Sequence, residues 1–254
     1  MKGWSIFAHS VGMVTRNLPE ALRIALVPVL IGFALIVALT VMTGLSIGTM
    51  SDPEAMDKMM RDGGMGAFFF PFILFAIVFI VIELWIFVSW HRFILLEEYP
   101  TGWIPEFRFD RIMAYLGRGF LIGVIMVAMW IPVMLAVTIL GPLGVLIMLG
   151  AMFFSVVLVY RLVAILPAAA IGEPLTVGQA WEATRGASGT ILVLVFVIFV
   201  AQFLLQLVTA LSLMVFPPFG IVFQLFVALV MSLVNVSILT TFYGHYVEGR
   251  EIGS

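Results

Sequence analysis

Six long apolar stretches, at about residues 21–47, 70–94, 119–140, 144–167, 189–214 and 221–244, leave this chain few folds to choose from. About 20 apolar residues in a helix cross the roughly 30 Å hydrocarbon layer of a bilayer. No water is available there to satisfy open backbone groups, so each crossing must be helical or part of a closed barrel. Runs of this length and continuity predict helices. The expected fold is all-α, a polytopic transmembrane six-helix bundle forming a single integral membrane domain over residues 1–254. Composition agrees: 63% of residues are hydrophobic and 10% charged, where a soluble domain carries about 25% charged residues.

The third and fourth runs are separated only by Gly141-Pro142, and the fifth and sixth by Pro217-Pro218 with Gly220. These breakers predict tight turns, because the alternative is an unbroken helix of about 50 residues. Of the twelve Lys and Arg residues, only Lys58 and Arg61 fall on the side of these turns, in a loop at 48–66 that also holds Asp52, Glu54, Asp57 and Asp62. The positive-inside rule then places both termini in the cytoplasm. Trp90, Trp103, Trp181, Tyr160 and Tyr246 crowd the same side, as an interfacial belt does, while Trp85 and Trp130 lie deeper. The loop at 48–66, with Gly63, Gly64 and Gly66, is expected to be a flexible linker in which MDKMMRD forms at most a short helical turn.

Each pair of runs is preceded by an amphipathic segment ending in arginine: WSIFAHSVGMVTR (4–16), PEFRFDRIMAYLGR (105–118) and TVGQAWEATR (176–185). Their apolar faces suit three cytoplasmic interfacial amphipathic helices. Thr176 with Gln179, and Asn17 with Glu20, have the spacing of capping boxes. The second run of each pair ends in an aromatic and basic cluster: Trp90-His91-Arg92, Tyr160-Arg161 and Tyr243-Gly244-His245-Tyr246. The pattern is a threefold parallel repeat of interfacial helix plus helical hairpin, with units at about 4–98, 105–172 and 176–250.

Arg161 followed by LPAAAIGEPLTVGQAWEATRG resembles the uncharacterised six-span bacterial inner-membrane families related to the membrane domain of glycerophosphodiester phosphodiesterases. That resemblance implies a non-catalytic integral protein of the bacterial inner membrane. No counterpart of the soluble phosphodiesterase domain is seen, so the resemblance does not bring hydrolase activity with it.

Polar residues inside apolar runs are the natural candidates for function. Glu83 lies near the middle of the second run, Gln202 and Gln206 one turn apart in the fifth, and Asn235 in the sixth. The set reads as interhelical hydrogen-bond glue, worth under about 2 kcal/mol per contact, or as a proton or cation relay, or as the seat of a hydrophobic ligand held by Glu83. Pro28 and Pro132 each remove a helical hydrogen bond and mark kinks or hinges. A second group, Arg16, His91, Arg92, Arg118, Arg161, Arg185 and His245, forms a basic ring at headgroup level. It suits phospholipid headgroups or an acidic partner surface, or serves as ordinary anchoring with pairing to Glu97, Glu98, Glu173 and Glu182.

The chain has no cysteine and three histidines. With no HExxH, GxSxG, paired-carboxylate or Walker-type pattern, no catalytic residue, metal site or cofactor is assigned. Position alone favours His91 and His245 facing one haem iron or chlorophyll magnesium, and with no second histidine pair and neither residue deep in the bundle no such group is assigned. The net charge of −2 gives no attraction to nucleic acid. The amino terminus lacks a continuous apolar core and cleavage site and reads as retained. The expected function is that of a non-enzymatic accessory, assembly or organising subunit, partnered by phospholipid and by other integral membrane proteins or further copies of itself. The alternative is a transporter or channel for a small solute or lipid, with Glu83 as the coupling group.

Overall fold

The computed structural model describes residues 2–43, 52–173 and 175–252. These form nine helices and no strand: α1 (Lys2–Arg16), α2 (Leu18–Thr43), α3 (Pro53–Leu96), α4 (Phe109–Leu140), α5 (Pro142–Leu162), α6 (Ile165–Ile171), α7 (Val177–Ala183), α8 (Ser188–Val215) and α9 (Pro217–Tyr246). Six segments are long and apolar enough to cross a membrane: 18–43, 69–96, 109–140, 142–171, 188–215 and 217–246. The chain is a multi-pass integral membrane protein; five of its spans lie within about four residues of those expected, and the third begins about ten residues earlier than expected, at Phe109.

Three antiparallel hairpins build the bundle: α2 with α3, α4 with α5, and α8 with α9. The second turns at Gly141, whose φ of 56° suits glycine, with Pro142 preset for the first turn of α5. Gly144 then packs on the Ala136 carbonyl and Val137, and Gly220 takes the same place against Leu213 in the third hairpin. A side chain at either position would push the helices apart just where the turn draws them together.

Between hairpins the contacts gather at one end, the end that carries both termini and most of the arginines. Here Ile6, Val14, Ile24, Trp90, Ile191, Leu194, Ile238 and Phe242 form one buried cluster. Leu162, Ala164, Ile165, Ala168 and Ala180 belong to a second. α1 closes this end by crossing α8 and α9. A Cβ on Gly3 would lie 2.6 Å from the Thr190 carbonyl oxygen and 2.7 Å from the Leu194 nitrogen, so the crossing requires glycine. Toward the hairpin turns the pattern reverses, with Val41, Ile139, Met214 and Val215 all more than three-quarters exposed.

Several local expectations are corrected. The segment at 105–118 is not a separate interfacial helix: helix begins at Phe109 and runs unbroken into the span as α4, because Gly117 and Gly119 weaken a helix without stopping it. α1 and α7 are separate helices, but Ile6, Ser10, Met13 and Val14 of α1 are buried in the core. Asn17 does not cap α2; its Nδ2 donates back to the Met13 carbonyl at 2.7 Å. It is the single residue between two helices, too little room for the extended backbone that a cap needs. The box at Thr176 forms as expected, with Gln179 N donating to Thr176 Oγ1 at 3.2 Å and Gln179 Oε1 accepting from Thr176 N at 2.8 Å.

The loop at 48–66 is largely helix. Asp52 caps α3 by accepting from Glu54 N at 3.0 Å, Pro53 opens it, and it continues to Leu96 over 44 residues. Asp52-Pro53-Glu54 is a start signal that the nearby glycines had masked. The part of that loop at 48–51 lies outside the described residues.

Candidate functional site

The polar groups fall into three tiers, from the basic end into the span region. The outermost is a set of arginines tied to neighbouring groups. Arg92 and Arg108 share Glu98, with nitrogen to oxygen distances of 2.5 and 2.7 Å, and Arg108 also reaches Glu106 at 2.7 Å. Burial alone would raise the Glu98 carboxyl, but hydrogen bonds from the two guanidinium groups outweigh it and hold it below the ordinary 4.5. The bond to Glu98 in turn raises Arg108. This group walls a cavity of about 270 Å³ whose floor includes Ile24 of α2 and Val88 of α3. Arg92 also donates to the Ala170 carbonyl of α6 at 3.2 Å, while its buried Nε has no partner among the described residues.

The Arg161 guanidinium carbon sits over the Trp181 ring, 3.4 Å from its centroid, and the group donates to the Trp181 carbonyl at 2.6 Å and to Thr184 at 3.2 Å. It therefore pins α7 to the end of α5 by stacking and hydrogen bonds without a carboxylate. Arg185 is exposed and pairs with Glu182 at 2.6 Å. Arg16 is exposed and Arg118 half-exposed. His245 is half-buried, its Nδ1 3.0 Å from the Arg250 carbonyl, and Arg250 reaches the Leu95 carbonyl at 3.2 Å.

His91 does not belong to the surface ring in which the sequence placed it. It is fully buried, with Nδ1 2.9 Å from Thr240 Oγ1 and Nε2 3.3 Å from the Tyr115 hydroxyl. The Thr240 hydroxyl spends its only proton on the Val236 carbonyl at 2.9 Å. His91 Nδ1 is then the donor to Thr240. The imidazole thus joins α9, α3 and α4, one helix from each hairpin. The reason for the misplacement is α6, which packs over this end of α3 with Ala170 in the same cluster as Val88 and Tyr115.

The same tier holds two further bridges that the sequence reading missed. Trp90 Nε1 donates to Ser237 Oγ at 2.8 Å, and Ser10 Oγ lies 3.0 Å from Thr241 Oγ1. Both serine hydroxyls donate back to their own helices, to Leu233 and Ile6 carbonyls, each at 2.7 Å. The available signal was the hydroxyl stripe Ser237, Thr240, Thr241 at helical spacing on the last span.

Deepest lie the four intramembrane candidates, and they do not form one hydrogen-bonded cluster. Glu83, half-buried, accepts from Ser232 Oγ of α9 at 3.0 Å. Gln202 and Gln206 are exposed and line a cleft of about 400 Å³ between α8 and α9, with Phe199, Phe203, Ala228 and Met231. Asn235 is exposed on α9, one turn from Met231. The separation follows from packing: Glu83 meets the side of α9 that adjoins α3, while the glutamines lie on α8. No family model, curated protein or solved structure matches the chain.

Proposed function

We propose that this chain is a non-enzymatic, multi-pass protein of a bacterial inner membrane, with both termini cytoplasmic, that acts as an accessory or organising subunit for other membrane proteins. The carrying observation is the one-ended core: three hairpins are joined where the arginines lie and part toward their turns, leaving long apolar faces on α4, α5, α8 and α9. Faces of this kind suit lipid and neighbouring spans, where association relies on packing and hydrogen bonds. The buried polar groups at the basic end are used in holding the hairpins to one another, which fits a scaffold better than a reaction centre. Arg16 and Arg118 remain available to phospholipid headgroups at that surface. The resemblance to six-span inner-membrane families and a threefold repeat of the helical hairpin belong to the same reading.

Native mass spectrometry of the chain, extracted gently from its own membrane at native abundance, is the test. Stoichiometric recovery with a larger membrane assembly is the expected result, and recovery alone with a bound solute overturns the reading. One observation favours transport instead: Glu83 stands half-buried within the second span, and Ser232 is its one hydrogen-bond partner among the described residues. Under that second reading Glu83→Gln abolishes a proton-dependent flux in a folded protein. Under the first, the variant keeps its fold and its partners.

A further inference from the structure

On α8, residues Val195, Phe199, Gln202 and Gln206 follow one another at spacings of four, three and four, which keeps them on one stripe of the helix. This is the spacing of a seam that packs against another helix. Its direction is fixed by α1, which covers Thr190, Val193 and Leu194. Gln202 is nine residues, or about two and a half turns, beyond Val193, so it points roughly the opposite way. Toward the basic end Val195 and Ile198 pack on the core, and Thr209, three residues past Gln206, is buried; between them both glutamines are exposed beside the stacked rings of Phe199 and Phe203, 6.5 Å apart. Neither glutamine side chain makes a hydrogen bond among the described residues, although both belong to the central part of a 28-residue span. Two primary amides facing hydrocarbon without partners are costly, and lipid tails offer them nothing.

We propose that a second copy of this chain covers this seam, giving a parallel dimer in which Gln202 meets Gln202 and Gln206 meets Gln206 of the other copy. Three features select that occupant. Each amide carries both donors and an acceptor, so a glutamine is its own complement. Two copies inserted in the same sense are related by an axis along the membrane normal, which brings identical residues to the same depth. The cleft contains no charged side chain to oppose self-association. Polar side chains at seam positions also fix the register of a helix pair, which apolar faces alone leave loose. Asn235, exposed on α9, lies one turn beyond Met231 of the cleft, toward the basic end. The inference does not depend on the accessory role proposed above, since a dimer serves a scaffold and a transporter equally.

The absence of cysteine from the chain makes the test direct. Single cysteines replace Phe199, Gln202 and Gln206 on the seam, and Leu204 and Val208 on another exposed face of α8, in the full-length protein reconstituted into phospholipid bilayers at high lipid-to-protein ratio. Oxidative cross-linking is expected to give dimers from the seam variants and none from Leu204→Cys or Val208→Cys. Equal cross-linking on both faces, or none on either, overturns the proposal. In parallel, single-molecule photobleaching counts labelled copies. The Gln202→Leu, Gln206→Leu double variant is expected to keep its thermal transition and tryptophan emission while its dimer fraction drops by about tenfold. An unchanged dimer fraction in that variant, or a wild-type chain that is monomeric in bilayers, equally overturns it. A cross-link at Gln202→Cys to a product of a different mass in native membranes would assign the seam to another protein's helix and also overturns the proposal.

Discussion

The two ends of the bundle are built by different rules. At the basic end Trp90, Phe242, Ile6 and Leu194 are fully buried, and serine, threonine, histidine and tyrosine side chains join helices of different hairpins. Toward the turn end of the third hairpin Phe216, Phe219 and Phe226 remain open. In water such exposure would be penalised, but a lipid tail is as apolar as phenylalanine, so burial yields no hydrophobic gain there. What holds helices together in a bilayer is close packing and hydrogen bonding. This protein concentrates both at one end, and the rest of each hairpin is positioned by that base.

The sharpest way to break the contrast is to truncate one aromatic residue at each end. Trp90→Ala removes a fully buried indole and its bond to Ser237, and is expected to cost about 3 kcal/mol or more. Phe226→Ala, at a residue 58% exposed, should fall within about 0.5 kcal/mol of wild type. Thermal unfolding of the two variants in the same lipid decides the matter; similar losses would mean that the turn end is as tightly built as the base.

The next effect concerns the crossing of α1. Gly3→Val sets a branched side chain against the Thr190 carbonyl and the Leu194 nitrogen, and overpacking of this kind costs about 1–3 kcal/mol. Hydrogen exchange should rise along α1 while the α8 and α9 hairpin stays protected. Exchange that rises uniformly would show that α1 is not a separable brace.

The His91 bridge ranks third. His91→Phe leaves the Thr240 hydroxyl bonded to Val236, but strands the buried Tyr115 hydroxyl, whose bond at 3.3 Å was to His91. The expected loss is about 1–2 kcal/mol, mostly the penalty of an unpaired buried group. Adding Tyr115→Phe should restore part of it, and a double-mutant cycle on thermal midpoints measures the coupling. Strict additivity would show that the two rings do not act as a pair.

The difference between the ends also explains what was legible in the sequence. The spans were, because hydrocarbon enforces length and hydropathy directly, and so were the turns at Gly141-Pro142 and Pro217-Pro218. The helical extension of α3 was obscured by three glycines, which lower helix propensity without forbidding helix. Glu83 was recognisable as an inward-facing group, but its partner Ser232 lies 149 residues away. Likewise, nothing local to His91 announces Thr240, also 149 residues distant. Such pairings depend on which faces of three hairpins meet at the base, and a side chain at the end of a span reads as interfacial until a short helix such as α6 is known to cover it.

The smallest expected effect tests whether the outer charges belong to the base or merely decorate it. Glu98 is held below 4.5 because two guanidinium groups together outweigh the effect of its burial. A carboxylate lowered in the folded state contributes stability that is complete above its unfolded value and is lost as pH falls through the folded one. Between pH 7 and 5 the thermal midpoint should therefore be insensitive to this group, and below about pH 4.5 it should decline. Because the Glu98 side chain is 34% exposed, screening keeps its share under about 1 kcal/mol. Glu98→Gln should lower the midpoint slightly at pH 7 and converge with wild type in acid, its curve flatter over the window in which the carboxylate titrates. If the two curves instead run parallel at every pH, the ionised Glu98 contributes nothing to the fold. Arg92 would then be held at the base by the Ala170 carbonyl, and the boundary of the structured end would lie at the His91 tier.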